Sequence, residues 1–323
     1  MIKTAKAKVM GAPTPMVGLA LGIASLGWCW ENAATLNGYI QWAGAVIASV
    51  LLLVLATKFL FHRQLLREDL AHPVVGSVVP TFAMATMVVS NSLGHFVPLA
   101  GDTLWLVAVG LHIVFLISFV YHRMQGFELH HMLPSWFVPP VGIIVADVSF
   151  SGNPALAVIA NVALLFGMLA YAAMLPMMIY RLMFTHEIPD AAKPTIAIMA
   201  APASLSLAGY LTVTAEPSPV IIGLLFGIAV LMTAIIYLAF IKLLRLPFSP
   251  GYAAFTFPMV IGATAQFKLA AWMQQTGMEH QYVAQIRGLA SFELIVATLV
   301  VGYVALRYAT FYGGADRRVV SLT

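Results

Sequence analysis

"AAFTFPMVIG", residues Ala253 to Gly262, lies inside a long apolar run and breaks the pattern expected of one. Phe255 and Phe257 are separated by a single threonine, Pro258 follows at once, and Gly262 comes four residues later. A proline inside a helix in water costs about 3 kcal/mol. The stretch therefore asks what surrounds this segment, and what a phenyl ring does beside the break.

Composition answers the first part. Of 323 residues, 61% are hydrophobic and 9% charged, whereas soluble domains carry about 25% charged residues. Apolar runs alternate with short polar stretches, as in a polytopic helical membrane protein whose solvent is the lipid bilayer. Lys3, Lys6 and Lys8 resemble the positive start of a leader, but no small-residue cleavage site closes the apolar stretch after them, so it is read as the first span. The single cysteine, Cys29, excludes a disulfide within the chain.

Ten runs emerge, at about 15–30, 40–61, 74–94, 103–121, 136–150, 154–180, 195–214, 219–243, 252–272 and 288–308. Short connections make neighbours antiparallel hairpins. Lys58, Arg63, Arg67, Arg123, Arg181, Lys193, Lys242, Arg245, Arg307, Arg317 and Arg318 fall in or beside alternate connections and the C-terminal tail, on the side of the N-terminal lysines. The intervening loops "WENAATLNGY", "LGHFVPLAGD", "SFSGN" and "TAEPSP" hold no Lys or Arg, and of sixteen basic residues only Lys268 and Arg287 break the alternation. The positive-inside rule then predicts cytoplasmic termini. The expected organisation is a cytoplasmic segment 1–14, a ten-helix membrane domain 15–308 and a cytoplasmic tail 309–323. The net charge of +4 belongs to cytoplasmic loops and does not suggest nucleic-acid binding. Trp28, Trp30, Trp42, Trp105 and Trp272 fall at expected outer ends and Trp136 at an inner end, where an aromatic belt should lie.

Prolines divide the runs. Pro15, Pro80, Pro139 with Pro140, Pro202 and Pro258 fall in or at the edge of the odd runs, while the even runs, apart from Pro154 and Pro219 at their first residues, hold only Pro176. From Pro15 through Pro140 to Pro258 the spacings are 65, 60, 62 and 56 residues, which suggests five copies of a two-helix unit. The odd runs are rich in Gly, Ala, Ser and Thr, and the even ones are longer and more aliphatic. Hydrocarbon cannot satisfy the backbone groups that a broken helix frees, so odd helices belong inside and even helices outside. A packing kink explains any one proline equally well; five in register favour a pore.

Five stretches carry a resemblance: "APTPMVGLALG", "HPVVGSVVPTFAMATMVV", "FVPPVGIIVADVSF", "MAAPASLSLAGYLTV" and "GYAAFTFPMVIGATA". In this order they resemble the odd helices of the tellurite-resistance TehA and plant slow-anion-channel family, which also includes dicarboxylate and malate permeases and sulfite exporters. The similarity spans about residues 12 to 310. It implies ten helices in five hairpins, odd helices around a central pore, and often a homotrimer. It also implies that a phenylalanine of the ninth helix plugs the pore, matching Phe257, and it aligns the glycine of the first-helix motif with Gly18. Pro258 departs from the "FSFG" typical of bacterial members, and the long cytoplasmic tails of plant members are absent.

Geometry extends the gate reading. At about 100 degrees per residue, Ile261, Thr264 and Lys268 lie within about 40 degrees of Phe257 on one helix face, whereas Phe255 is about 200 degrees away from it. A pore-facing Lys268, roughly 16 Å further out, would draw anions. Two other readings stay open for it: snorkelling towards headgroups beside Trp272, and pairing with Glu293 or Asp147 at similar depth. Those two carboxylates are also the candidates for proton coupling. His112 fits a hydrogen bond between helices. His122, His130, His131 and His186 lack the Cys or carboxylate spacing of a metal site, and no metal or cofactor is expected.

No H-E-x-x-H, P-loop, paired C-x-x-C or G-x-S-x-G is present, so no enzyme activity is expected. The reading that follows is a passive channel for chloride or nitrate in a cell membrane, bacterial inner membrane by resemblance. Small and hydroxyl residues of the odd helices, Ser204 among them, would line its path. The alternatives are a proton-coupled C4-dicarboxylate carrier, a tellurite or sulfite exporter, and a membrane scaffold without transport.

Overall fold

The computed structural model describes residues 9–312. Lys3, Lys6, Lys8, Arg317 and Arg318, with most of both expected cytoplasmic segments, lie outside the described residues. The described residues form helices and turns without strands. The α-helices are α1 (Met16–Ala33), α2 (Tyr39–Phe61), α3 (Arg63–Ala71), α4 (Val75–Val78), α5 (Thr81–Gly94), α6 (Pro98–Met124) and α7 (Val138–Val141). They continue with α8 (Val145–Val148), α9 (Ala157–Phe184), α10 (Ala201–Val213), α11 (Pro219–Leu243), α12 (Thr256–Gln275) and α13 (His280–Tyr312).

Among the described residues, seven helical stretches are long and apolar enough to cross a membrane: Tyr39–Phe61, Val75–Gly94, Pro98–Met124, Pro154–Phe184, Asp190–Val213, Pro219–Leu243 and His280–Tyr312. They fall on seven of the ten expected runs, as a multi-pass membrane protein requires. The remaining three expected runs correspond to α1, to the shorter apolar stretch Pro134–Val148, and to α12. The first ends in Trp-Glu-Asn-Ala and the last carries Gln266, Lys268, Gln274 and Gln275, which lowers their hydropathy.

Burial separates two kinds of helix. In α12 every residue from Thr256 to Phe267 is buried, and in α10 every residue from Ala201 to Tyr210. Helix α6 buries only the stripe Gly101, Trp105, Ala108, Val109, His112, Phe115 and Phe119, at helical spacing. Its other faces expose Val107, Val114, Ile117 and Tyr121. A helix buried all round is a core element, and one with a single buried stripe lies at the periphery.

The prolines are helix starts rather than the kinks expected within continuous helices. Pro15 and Pro80 are the N-caps of α1 and α5, Pro139 and Pro140 open α7, and Pro202 falls in the first turn of α10. Pro258 is the third residue of α12, directly after the 3₁₀ stretch Pro250–Phe255. First-turn amides have no intrahelical acceptor, so proline costs nothing there. Pro176 sits inside α9, and Pro194 inside the 3₁₀ stretch Asp190–Ala200.

The interrupted segments leave carbonyls that hydrocarbon could not satisfy, and peripheral helices supply the donors. Lys58 Nζ on α2 donates to the Ala12 carbonyl at 2.9 Å, and Arg123 Nη2 on α6 to the Ala71 carbonyl. Arg181 Nη2 on α9 donates to the His130 carbonyl at 3.0 Å, and Tyr308 Oη on α13 to the Pro250 carbonyl at 2.5 Å. The donors follow their acceptors by 46, 52, 51 and 58 residues. Four of the five proposed repeats therefore share one staple, tying the entry of a broken segment to the end of the peripheral helix after it. Lys58 and Arg181, read from the sequence as loop charges, are buried.

Two tryptophans leave the expected aromatic belt for the same reason. Trp105 is buried with Nε1 on the Ala146 carbonyl at 3.0 Å, and Trp136 is buried with Nε1 on the Pro73 carbonyl at 3.2 Å. Buried indole N–H groups need an acceptor, and broken segments provide one. His112 makes the expected interhelical bond, with Nε2 at 2.8 Å from the Pro139 carbonyl.

Candidate functional site

Helix α12 begins where its 3₁₀ lead-in ends, and this junction separates the two phenylalanines. Phe255, fully buried as the last residue of the 3₁₀ stretch, packs against Phe240 of α11 and Tyr252, with ring centroids 5.3 and 4.8 Å away. Phe257, in the first turn of α12, points instead into a cavity.

That cavity has a volume of about 820 Å³. Pro15, Gly18 and Leu21 of the first segment contribute to its wall, with Val75, Thr81 and Met84 of the third and Phe137, Val141 and Gly142 of the fifth. Thr195, Pro202 and Leu205 of the seventh and Ala253, Phe257 and Pro258 of the ninth complete it. Its mouth carries His72, His130, His131, His186, Glu187 and Ser249. On the other side of Phe257 lies a void of about 10 Å³ bounded by Ser25, Trp28, Val88, Val145, Val148, Leu205, Ile261 and Thr264. Such a volume holds at most about one water molecule. Phe257 and Leu205 border both spaces.

The other residues singled out in the sequence divide. Ile261 and Thr264 follow Phe257 along the small void, as helical spacing predicts. Gly18 borders the large cavity but is also a packing glycine, because a Cβ there would lie 3.1 Å from Ala253 Cβ. Ser204 and Lys268 border neither space. The Ser204 hydroxyl donates to the Ala200 carbonyl at 3.1 Å, and Thr264 Oγ1 to the Val260 carbonyl at 3.0 Å. Hydroxyls expected to face a path are thus turned back onto their own helices, and aliphatic, aromatic and proline side chains dominate the wall.

Neither carboxylate pairs with Lys268, which among the described residues has none within 4.0 Å. Glu293 Oε1 accepts from Gln266 Nε2 at 2.6 Å, while Oε2 lies buried against Gly262 without a donor among the described residues. Asp147 is fully buried, and among the described residues neither of its oxygens meets a donor from another residue. The mouth holds a feature the sequence reading dismissed: Glu128 Oε2 lies 3.1 Å from His130 Nδ1, so the histidine pair does have a carboxylate beside it. The E-x-H-H spacing was the available signal.

Comparison with known proteins agrees with this arrangement. The family described as voltage-dependent anion channel matches residues 14–309. The chain belongs to that family. It is 24% identical over 307 residues to the tellurite resistance protein TehA homolog of Haemophilus influenzae, covering 91% of this chain and 89% of that protein. Two uncharacterized transporters of Methanocaldococcus jannaschii are 27% and 26% identical over 215 and 239 residues, or 59% and 65% of this chain. Those matches span 62% and 68% of the two transporters, the first under two thirds of its length. A family of membrane transporters and channels accounts for the broken, sheltered segments and for the cavity they enclose.

Proposed function

We propose that this chain is a passive channel for small monovalent anions such as chloride and nitrate, closed by the Phe257 ring. Ten membrane-crossing segments would form five hairpins, adding α1, Pro134–Val148 and α12 to the seven long apolar spans. All-round burial supports their place inside. Loop charge supports cytoplasmic termini and puts the histidine-bearing mouth on the cytoplasmic side. The homotrimer and the bacterial inner membrane complete the reading by resemblance.

One observation supports it: Phe257, with Leu205, borders both an 820 Å³ vestibule walled by all five broken segments and a void of about 10 Å³. A wall with few polar groups gives little back for lost hydration, so selection follows dehydration cost and favours weakly hydrated anions. Anion-substitution currents from the purified, reconstituted protein test this. Unitary currents in nitrate and chloride support it, and transport limited to carrier rates overturns it.

A proton-coupled carrier is the second reading, favoured by the unpaired oxygens of Asp147 and Glu293. Uptake driven by a proton gradient and abolished by Asp147→Asn or Glu293→Gln would select it.

A further inference from the structure

Where the vestibule opens, two loops bring together side chains that conduction does not require. Glu128, His130 and His131 each present a ligand atom, and the three atoms lie within 4.8 Å of one another. The His130 and His131 rings are 4.1 Å apart between centroids, and the His186 ring, from the next loop, is 6.3 Å from His130. Arg181 fixes this meeting. Its guanidinium donates to the carbonyls of both His130 and His186, at 3.0 and 2.8 Å, so one buried side chain holds both histidine-bearing loops at the mouth.

We propose that Glu128, His130 and His131 form a binding site for a divalent transition metal of the zinc class, and that the bound ion slows anion entry into the vestibule. The donor set fits the ion: two imidazoles and one carboxylate suit zinc and its borderline neighbours, whereas calcium and magnesium take oxygen cages. Bonds of about 2.1 Å in a tetrahedron place ligand atoms roughly 3.4 Å apart. Glu128 and His130 are exposed and His131 is partly so, leaving their side chains free to contract by that amount. Three protein ligands leave a fourth position open, which an anion can occupy. An ion pair at the entrance then holds the anion that a bare mouth would let pass. The effect on flux rests on the channel reading; metal binding does not.

Tag-free protein is titrated with Co²⁺, read by its visible absorption, and with Zn²⁺ in competition with a chromophoric chelator. The site predicts one ion per chain with a tetrahedral Co²⁺ band. In His130→Ala/His131→Ala, affinity should fall by at least roughly tenfold, the loss that even groups outside a ligand set produce. Glu128→Gln should weaken binding as well, and His280→Ala, on the remote α13 start, should not. No binding by the parent chain, or equal affinity in the double variant, overturns the site. In proteoliposomes of the gate-opened Phe257→Ala protein, Zn²⁺ should slow anion flux, and adding His130→Ala/His131→Ala should abolish that slowing. Binding without slowing overturns the throttle alone. Absent flux in metal-free Phe257→Ala protein counts against the channel reading and leaves the binding result standing.

Discussion

Thr256 Oγ1 lies 2.9 Å from the Gly18 carbonyl and 2.7 Å from the Ala253 carbonyl, sharing one hydroxyl hydrogen between the first segment and the 3₁₀ lead-in to the helix that carries Phe257. The bond is possible because α1 presents glycine where α12 crosses it. A Cβ at Gly22 would lie 2.5 Å from Thr256 Cβ, a distance no real contact shows.

Gly22→Ala should therefore push α12 away from α1 and destabilise the protein by about 1–3 kcal/mol, the usual range for overpacking. Gly18→Ala should be milder, since its nearest neighbour would be Ala253 Cβ at 3.1 Å. Gly223→Ala, with nothing within 4 Å, should leave stability unchanged or slightly raised. Thermal unfolding of the three variants in detergent checks the order, and a Gly22→Ala protein as stable as its parent refutes the tight crossing.

The two phenylalanines should part company on mutation. Phe257→Ala removes the ring between vestibule and void, so anion conductance should rise severalfold with the fold intact. Phe255→Ala empties a fully buried aromatic cluster and should cost about 3–5 kcal/mol without opening the path. Conductance and thermal stability measured on both variants separate the roles, and a reversed result would mean that the wrong ring has been placed in the pathway.

Much of the setting of this cavity was legible in the sequence. Proline at a sixty-residue period located the five interrupted segments, and helical phase put Ile261 and Thr264 on the side of Phe257. Phase alone could not choose between Phe255 and Phe257, because the choice depends on where the 3₁₀ lead-in becomes α-helix, and the resemblance made that choice. Side-chain direction was less legible. Ser204 and Thr264 looked like pore hydroxyls, but in an apolar surrounding a hydroxyl is satisfied most directly by its own helix, four residues back. Lys58 and Arg181 looked like solvated loop charges. Their long-range carbonyl acceptors exist only once the chain has folded.

Glu293 offers a test of channel against carrier that does not depend on the gate. In Glu293→Gln the amide oxygen can still accept from Gln266, so folding should survive, and a passive channel should keep its flux. Glu293→Leu strands the buried Gln266 amide and should cost about 1–3 kcal/mol. If Glu293→Gln folds normally yet abolishes uptake driven by a proton gradient, the channel reading fails.

Arg181 should be irreplaceable by lysine. Its forked guanidinium reaches two carbonyls on different loops, and one ammonium cannot reproduce that geometry. Arg181→Lys should lower stability by about 1–3 kcal/mol, the range for a buried polar group left unpaired. It should also raise hydrogen exchange at residues 128–131 and 186–188. Unchanged exchange there would show that the loops are held by other contacts.

Lys268 is the last charge along the gate face, roughly 16 Å beyond Phe257. With no carboxylate within 4.0 Å among the described residues, its ammonium is not neutralised by Glu293 or Asp147, which removes the pairing alternative. Two positions remain for it, the outer end of the path and the headgroup layer beside Trp272. An ammonium in the path raises the local concentration of anions and excludes cations. Lys268→Gln should then move the reversal potential in a salt gradient from near the anion equilibrium value towards zero, with little change in stability. A headgroup-bound lysine acts on lipid instead, and its loss leaves the reversal potential where it was. Recording in the conductive Phe257→Ala background supplies enough current to tell these apart, and an unshifted potential there excludes Lys268 from the pathway.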